Sequence, residues 1–141
     1  PFEKVSGRGV KMLKEAGIEV VHCILEEECR QINPRFIIAH TLHRPFITLK
    51  WAQSKDGFID HIRTSQTPCA AQFSTPISST FVHKLRATHD AIMVGSNTII
   101  KDNPTLNCRL WNGNSPQKII LDRKGLVPSF ANVFTSNPEY T

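Results

Sequence analysis

Apolar residues recur with two different periods along this chain, and the changes of period divide it into elements. Over residues 8–16, Val10, Leu13 and Ala16 stand at helical spacing, and Gly17 supplies a stop signal. Ile18–His22 is a short β-rich run that predicts a strand. The pattern turns helical again from about Glu26 to Gln31 and closes at Asn33-Pro34, because the residue before a proline avoids αR geometry. A helix, a strand and a helix in forty residues cannot cover both faces of the strand. This segment is therefore expected to lean on the rest of the chain or on sequence before Pro1.

From Arg44 to Gly57 the period drops to two. Phe46, Thr48 and Lys50 share one face of the predicted strand, and Ile47, Leu49 and Trp51 share the other. A lysine in a core strand costs free energy unless it reaches water or an anion. On an edge strand the same lysine blunts sheet pairing. The pattern leaves both readings open. Residues 58–74 mix turn formers and small polar residues without a period and read as a surface loop, long enough to suggest function. Thr75 then suits an N-cap and Pro76 the first helical position. Ile77, Phe81 and Leu85 follow at i, i+4 and i+8, with Val82 broadening the stripe. Arg86 falls near the end of this helix, where the bland reading is a surface cation that complements the dipole.

The run DAIMVGSNTIIKDNPTLNCR, Asp90–Arg109, is the most informative. It predicts a buried strand ending at Gly95, with Ser96, Asn97 and Thr98 where a helix can begin. An Asp102-Asn103-Pro104 turn then leads to Arg109. A helix start presents backbone N–H groups to an anion, and a nearby arginine adds a bidentate hold, so the layout suggests a phosphorylated ligand. Asn112–Pro116 reads as a turn, Lys118–Asp122 as a second buried strand, and Gly125 with Pro128 as another turn. Val133-Phe134 reads as the start of a further strand. Strands alternating with helices place the chain in the α/β class.

Composition narrows the possibilities. The 141 residues suffice for one good core, or for one domain and part of another, and 40% hydrophobic with 21% charged content excludes a disordered chain. No apolar run approaches the ~20 residues of a membrane span, and no leader pattern supports secretion. The four cysteines (Cys23, Cys29, Cys69, Cys108) form no CxxC pair and suit a reducing compartment. His40 and His43 are close but lack an acidic or cysteine partner at ligand spacing, so no metal site is expected. The net charge of +5 is spread along the chain without alternating aromatics, which argues against nucleic acid and fits an anionic small molecule. There is no Gly-x-Ser-x-Gly elbow, P-loop or GxGxxG fingerprint. What remains is Lys50, Asp56, Arg86, Thr98, Asp102 and Arg109, on separate elements of the kind that converge at strand ends in α/β folds. Hydride transfer asks for two ligands held face to face with electrostatic help, which such residues can give.

Several of these segments resemble one family. TLKWAQSKDG, the helix ending in Leu85-Arg86-Ala87, DAIMVG-x-x-T, DNP-x-L-x-x-R and KIILD occur in the order found in the reductase domain of the bifunctional riboflavin-biosynthesis deaminase/reductase. GRGVKMLKEAGIEV followed by LEEECRQINPRFI resembles the end of the deaminase domain and its junction. The resemblance implies a dihydrofolate-reductase-like reductase domain over 44–141, its N-terminal part only, preceded over 1–43 by the tail of a cytidine-deaminase-like domain. It implies NADPH-dependent reduction of the ribosyl group of 5-amino-6-(5-phosphoribosylamino)uracil to a ribityl chain, in a cytoplasmic homodimer. Carried over by motif, Ala52, Thr98 and Asp102 would touch the cofactor, and Arg86, Leu106 and Arg109 the phosphorylated substrate. Lys50, in the same strand motif, is the candidate for proton transfer or ring opening.

Three departures stand out. The family's Ser-Leu-Asp-Gly reads Ser54-Lys55-Asp56-Gly57 here, and Ala70, Gln72 and Phe73 occupy the place of Gly-x-Ser-x-Trp-Ile, with Thr67 or Ser74 as candidate substitutes for the serine. The chain ends at Thr141, before the glutamate-glycine-glycine segment of the cofactor site, and the zinc motif of the deaminase would precede Pro1. A fragment inactive alone is therefore one expectation. The alternatives are a non-catalytic assembly module that pairs an open sheet edge, and a basic nucleic-acid-binding domain.

Overall fold

Pairing, more than propensity, decides which of these expectations become elements. The computed structural model describes residues 7–136. The chain divides into two units, Pro1–Lys50 and Trp51–Thr141.

The first unit is helical. Helix α1 spans Arg8–Glu15, α2 Glu26–Ile32 and α3 Pro34–Leu42. Gly17, with φ of 77°, ends α1 as expected: its N–H donates to the Lys14 carbonyl and that of Ile18 to the Leu13 carbonyl, both at 3.0 Å. This is the Schellman arrangement, in which glycine takes the left-handed position at no steric cost. Helix α2 begins with Glu26, Glu27 and Glu28, favourable at the positive end of the dipole, and Arg30 returns to Glu26 at 2.8 Å. Asn33 closes α2 as the sequence predicts, but Pro34 then opens α3 at its first position, an element the periodicity did not reveal. None of the three helices contains a buried residue.

Two strands expected in this part of the chain are not formed. Ile18–His22 and Phe46–Trp51 carry no strand ladder. Alternation describes a conformation, whereas a strand exists only when a neighbour accepts its hydrogen bonds. Neither segment has such a neighbour among the described residues, and Ile47, Leu49 and Trp51 are 65%, 78% and 63% exposed. Lys50 is exposed outside any strand, so it is neither a core-strand nor an edge-strand lysine here.

The second unit holds α4 (Pro76–Ala87), β1 (Ala91–Gly95), α5 (Ser96–Asp102), β2 (Gln117–Leu121) and α6 (Asn132–Thr135). Thr75 caps α4 through its hydroxyl, which accepts the Ser78 N–H at 3.2 Å, and Pro76 takes the first turn. Strands β1 and β2 run parallel in register Ala91↔Gln117 to Gly95↔Leu121, joined through α5 as a parallel pair requires. Their inward residues Ile92, Val94 and Ile120 pack on the core of Ile99, Leu106, Ala131 and Val133.

Both strands differ from the fully buried pair expected. Each alternates exposed and half-buried positions, because the described sheet has two strands and only one covered face. Met93 and Leu121 stand open on the other. The α4 stripe is likewise uncovered at Ile77 and Phe81, and the buried residue of that helix is His83. Val133-Phe134 belongs to helix α6 in place of a strand. Ala131 and Val133 are both buried with Asn132 exposed between them, an alternation that arises here at the start of a helical turn. That turn is held by Asn132, whose backbone N–H donates to Asn103 Oδ1 at 2.8 Å, and by Lys118 Nζ, which donates to the Val133 carbonyl at 2.7 Å.

Candidate functional site

The loop after α5 returns across the C-terminal half of α4, and this brings two arginines together. Asn103 (φ 41°) ends α5 in the left-handed region, and Leu106 (φ 54°) turns the chain again while its side chain enters the core. The loop is then strapped to α4 at several points. Arg86 Nη1 donates to the Asn107 carbonyl at 2.9 Å, and the Arg109 N–H donates to His83 Nδ1 at 3.0 Å. The Cys108 thiol donates to the His83 carbonyl at 3.4 Å. Lys84 lies 5.2 Å over the Trp111 ring, and a Cβ at Gly113 would meet Ala87 Cβ at 2.8 Å, so only glycine lets the loop approach this closely.

Arg86 is therefore not the surface capping cation of the bland reading. It is half-buried, and its Nε is buried without a hydrogen-bond partner. Burial, and then the charge of Arg109, push the Arg86 pKa down, although a guanidinium stays cationic. Arg109 Nη1 reaches Asn107 Oδ1 at 3.2 Å and Thr105 Oγ1 at 3.4 Å, both neutral groups. Neither arginine forms an ion pair with a carboxylate among the described residues. Of the sequence-predicted substrate residues, the structure thus groups Arg86 and Arg109 and buries the Leu106 side chain, 5% exposed, beneath the same loop.

The other predicted residues lie elsewhere. Thr98 is exposed on α5, and Ala52 is half-buried at the start of the second unit. Asp102 is engaged by a residue that sequence reasoning missed: Arg63, in the long loop, reaches Asp102 Oδ1 at 2.5 Å. Arg63 also binds Asp60 Oδ2 at 2.8 Å and the Lys101 carbonyl at 3.0 Å. Asp60 Oδ1 in turn accepts the Ala71 and His61 N–H groups at 3.0 Å. The Ala71 N–H foremost, with Arg63 and the His61 N–H, holds the Asp60 carboxyl down at about 2. A cleft of about 440 Å³ opens here between Asp60, His61, Ile62, Arg63, Pro68 and Lys101. Ser54-Lys55-Asp56-Gly57 forms a tight turn, with Ser54 Oγ on Asp56 Oδ1 at 2.5 Å and Gly57 at φ 91°; Lys55 is exposed at its tip. Among the described residues no three His, Cys, Asp or Glu side chains converge as metal ligands, and no helix is long and apolar enough to cross a membrane.

His83 is the other residue that sequence reasoning missed. The signal was there in its spacing: it precedes Arg86 by three residues, which puts both on one face of a helix. Nothing in the sequence pointed to Arg63.

Comparison with known proteins supplies the family. Residues 45–141 match the model described as the RibD C-terminal domain. The chain is 39% identical to the riboflavin biosynthesis protein RibD of Aquifex aeolicus over 137 residues, covering 96% of this chain and 37% of that one. It is 35% identical to the RibD protein of Bacillus amyloliquefaciens, with 96% and 36% covered. A crystal structure of a diaminohydroxyphosphoribosylaminopyrimidine deaminase/5-amino-6-(5-phosphoribosylamino)uracil reductase from Thermotoga maritima superposes with a TM-score of 0.79 at 39% identity, over 95% of this chain and 37% of that one. The chain spans a little over a third of the length of each of these relatives.

Proposed function

Since this chain belongs to the RibD C-terminal domain family, we propose that it supplies the first part of a reductase that acts in riboflavin biosynthesis. In this reading residues 44–141 are the N-terminal part of a dihydrofolate-reductase-like domain, and residues 1–43 are the end of a cytidine-deaminase-like domain. The reaction in this reading is reduction of the ribosyl group of 5-amino-6-(5-phosphoribosylamino)uracil to ribityl; the Thermotoga maritima relative is named a reductase of that compound.

The observation that carries the reading is the Arg86–Arg109 pair. Two cations from different elements, held against their own repulsion with no carboxylate to balance them among the described residues, suit a dianionic phosphate better than a structural role. The cofactor of this reading is NADPH, which when bound supplies the hydride. Thr98 fits a contact to it through an exposed hydroxyl. Asp102 fits through Oδ2, since Arg63 engages Oδ1. Lys50 is the residue to which we assign proton transfer during opening of the ribose ring, and its exposed ammonium is free to serve a ligand.

The test is binding followed by turnover. Ribose 5-phosphate and NADPH are each expected to raise the melting temperature of the chain in proportion to the logarithm of their concentration. Failure of both to do so would remove the reductase reading. In the reductase assay of a full-length enzyme carrying this segment, Lys50→Met is expected to lower kcat more than it raises KM. An unchanged kcat would sink the role given to Lys50.

A further inference from the structure

We propose that His83 is a positioning residue that holds Arg86 and Arg109 together as one phosphate-binding unit, because it ties the arginine-bearing loop to the arginine-bearing helix without adding negative charge. The proposal rests on the phosphate reading above and adds to it a residue and a reason.

His83 is 3% exposed, the one buried polar side chain among the described residues. Its Nδ1 accepts the backbone N–H of Arg109 at 3.0 Å, which requires that nitrogen to be unprotonated and places the proton of the neutral ring on Nε2. Nε2 then faces Arg86 Nη1 at 3.5 Å, donor toward donor, and Nη1 directs one of its two hydrogens to the Asn107 carbonyl. The Cys108 thiol lies between the backbone carbonyls of His83 and Trp111, at 3.4 and 3.2 Å. One residue thus touches both ends of the pair, Arg109 through its main chain and Arg86 through its side chain.

Such a tie is needed because the pair repels itself. Arg109 disfavours the charge on Arg86, and burial of Arg86 strengthens the effect by removing water. An aspartate at position 83 would also accept the Arg109 N–H. It would, however, neutralise one cation and compete with the phosphate for both. A neutral imidazole accepts the same bond and leaves the charge for the ligand. Burial, Arg86 and Arg109 all push the His83 pKa down, so the ring stays neutral; Arg86 and Arg109 are the charged groups around it, and Cys108 is the other titratable one.

Three variants separate positioning from bulk structure, with ribose 5-phosphate as the probe in calorimetric titrations. His83→Asn keeps an acceptor at the place of Nδ1 and is expected to bind within about threefold of the parent. His83→Leu fills the space without an acceptor and is expected to bind about tenfold more weakly, the size of one lost hydrogen bond at a charged site. His83→Asp keeps the bond but adds charge, and is expected to bind more weakly than His83→Leu. Equal affinity in all three, or affinities that simply follow melting temperature, would overturn the proposal. Should the substitutions prevent folding, imidazole nitrogen shifts of the parent chain decide the matter. A Nε2–H tautomer that persists when ribose 5-phosphate binds, with the Arg109 amide perturbed, supports the proposal, and a Nδ1–H tautomer overturns it. Arg86→Met is the control. If it binds as the parent does, the phosphate reading fails and takes this proposal with it. If it loses binding while the His83 variants keep theirs, only the role of His83 falls.

Discussion

Arg63 sits between two carboxylates, Asp60 and Asp102, while Arg86 and Arg109 share a neighbourhood in which every hydrogen-bond partner is neutral. The same side chain therefore serves opposite ends in one unit. In the first cluster two carboxylates outweigh the one positive charge, and the guanidinium works as a clamp that fixes the long loop to the C-terminal end of α5. In the second the charge is left unspent: the guanidiniums meet a backbone carbonyl, a side-chain amide and a hydroxyl, and a buried histidine holds the main chain of Arg109. An arginine is informative about ligands only after its local partners are counted, and the two clusters give opposite counts.

The largest expected effect breaks this comparison directly. The double variant Arg86→Met, Arg109→Met is expected to weaken ribose 5-phosphate binding by about a hundredfold or more, since each charged hydrogen bond to a phosphate is worth roughly tenfold to a hundredfold. Arg63→Met is expected to leave that affinity within about threefold and to lower melting temperature instead. Equal losses of affinity in the two proteins would mean that the clusters do not differ in kind. Raising the salt concentration offers a parallel check, because affinity that depends on unpaired cations falls as screening grows.

The two clusters also separate by pH. Asp60 has a folded pKa of about 2 against an ordinary 3.8, so its contribution to stability is present above 3.8 and is lost as pH falls toward 2. His83 has a lowered folded pKa against an ordinary 6.5, so its contribution is present above 6.5 and declines as pH falls below that value, where the unfolded chain takes up a proton that the folded ring resists. Urea unfolding as a function of pH is expected to show two declines, one beginning near pH 6.5 and one below pH 4. His83→Asn is expected to flatten the first, and Asp60→Asn to reduce the second, to which Asp122, held down foremost by the Val127 N–H, also contributes. A single decline removed by neither substitution would count against both assignments.

How far the sequence could be read follows from what each signal depends on. The cap at Thr75, the stop at Gly17, the start of α5 at Ser96 and the irregular loop 58–74 are local matters, and all four are as expected. The strands at Ile18–His22 and Phe46–Trp51 needed partners, which no alternation of Phe46, Thr48 and Lys50 can supply. Val133 shows the converse, since its buried alternation with Ala131 came from a helical turn tied down by Asn103 and Lys118, residues distant in sequence. At the site, Arg86 and Arg109 were legible as cations near expected turns, but their meeting was not, because it depends on a loop that Leu106 and Gly113 fold back onto α4. Asp102 was legible as a residue and its clamp was not, since Arg63 lies in a stretch without period.

The smallest expected effect sharpens the comparison from the far end of α4. Thr75 caps that helix about three turns before Arg86, through a hydroxyl that accepts the Ser78 N–H at 3.2 Å. Thr75→Ala removes that acceptor and is expected to cost about 1 kcal/mol in urea unfolding. The helix start is solvent-exposed, as Pro76 and Ile77 are, so fraying there has little apolar packing to resist it. The other end of the helix is held differently, by the His83 and Arg86 bonds to the 107–109 loop. Fraying is therefore expected to stop before it reaches the arginine, and ribose 5-phosphate affinity to remain within about twofold of the parent. If affinity instead fell with stability, α4 would behave as one cooperative unit, and the phosphate-binding end would owe its order to the cap as much as to His83.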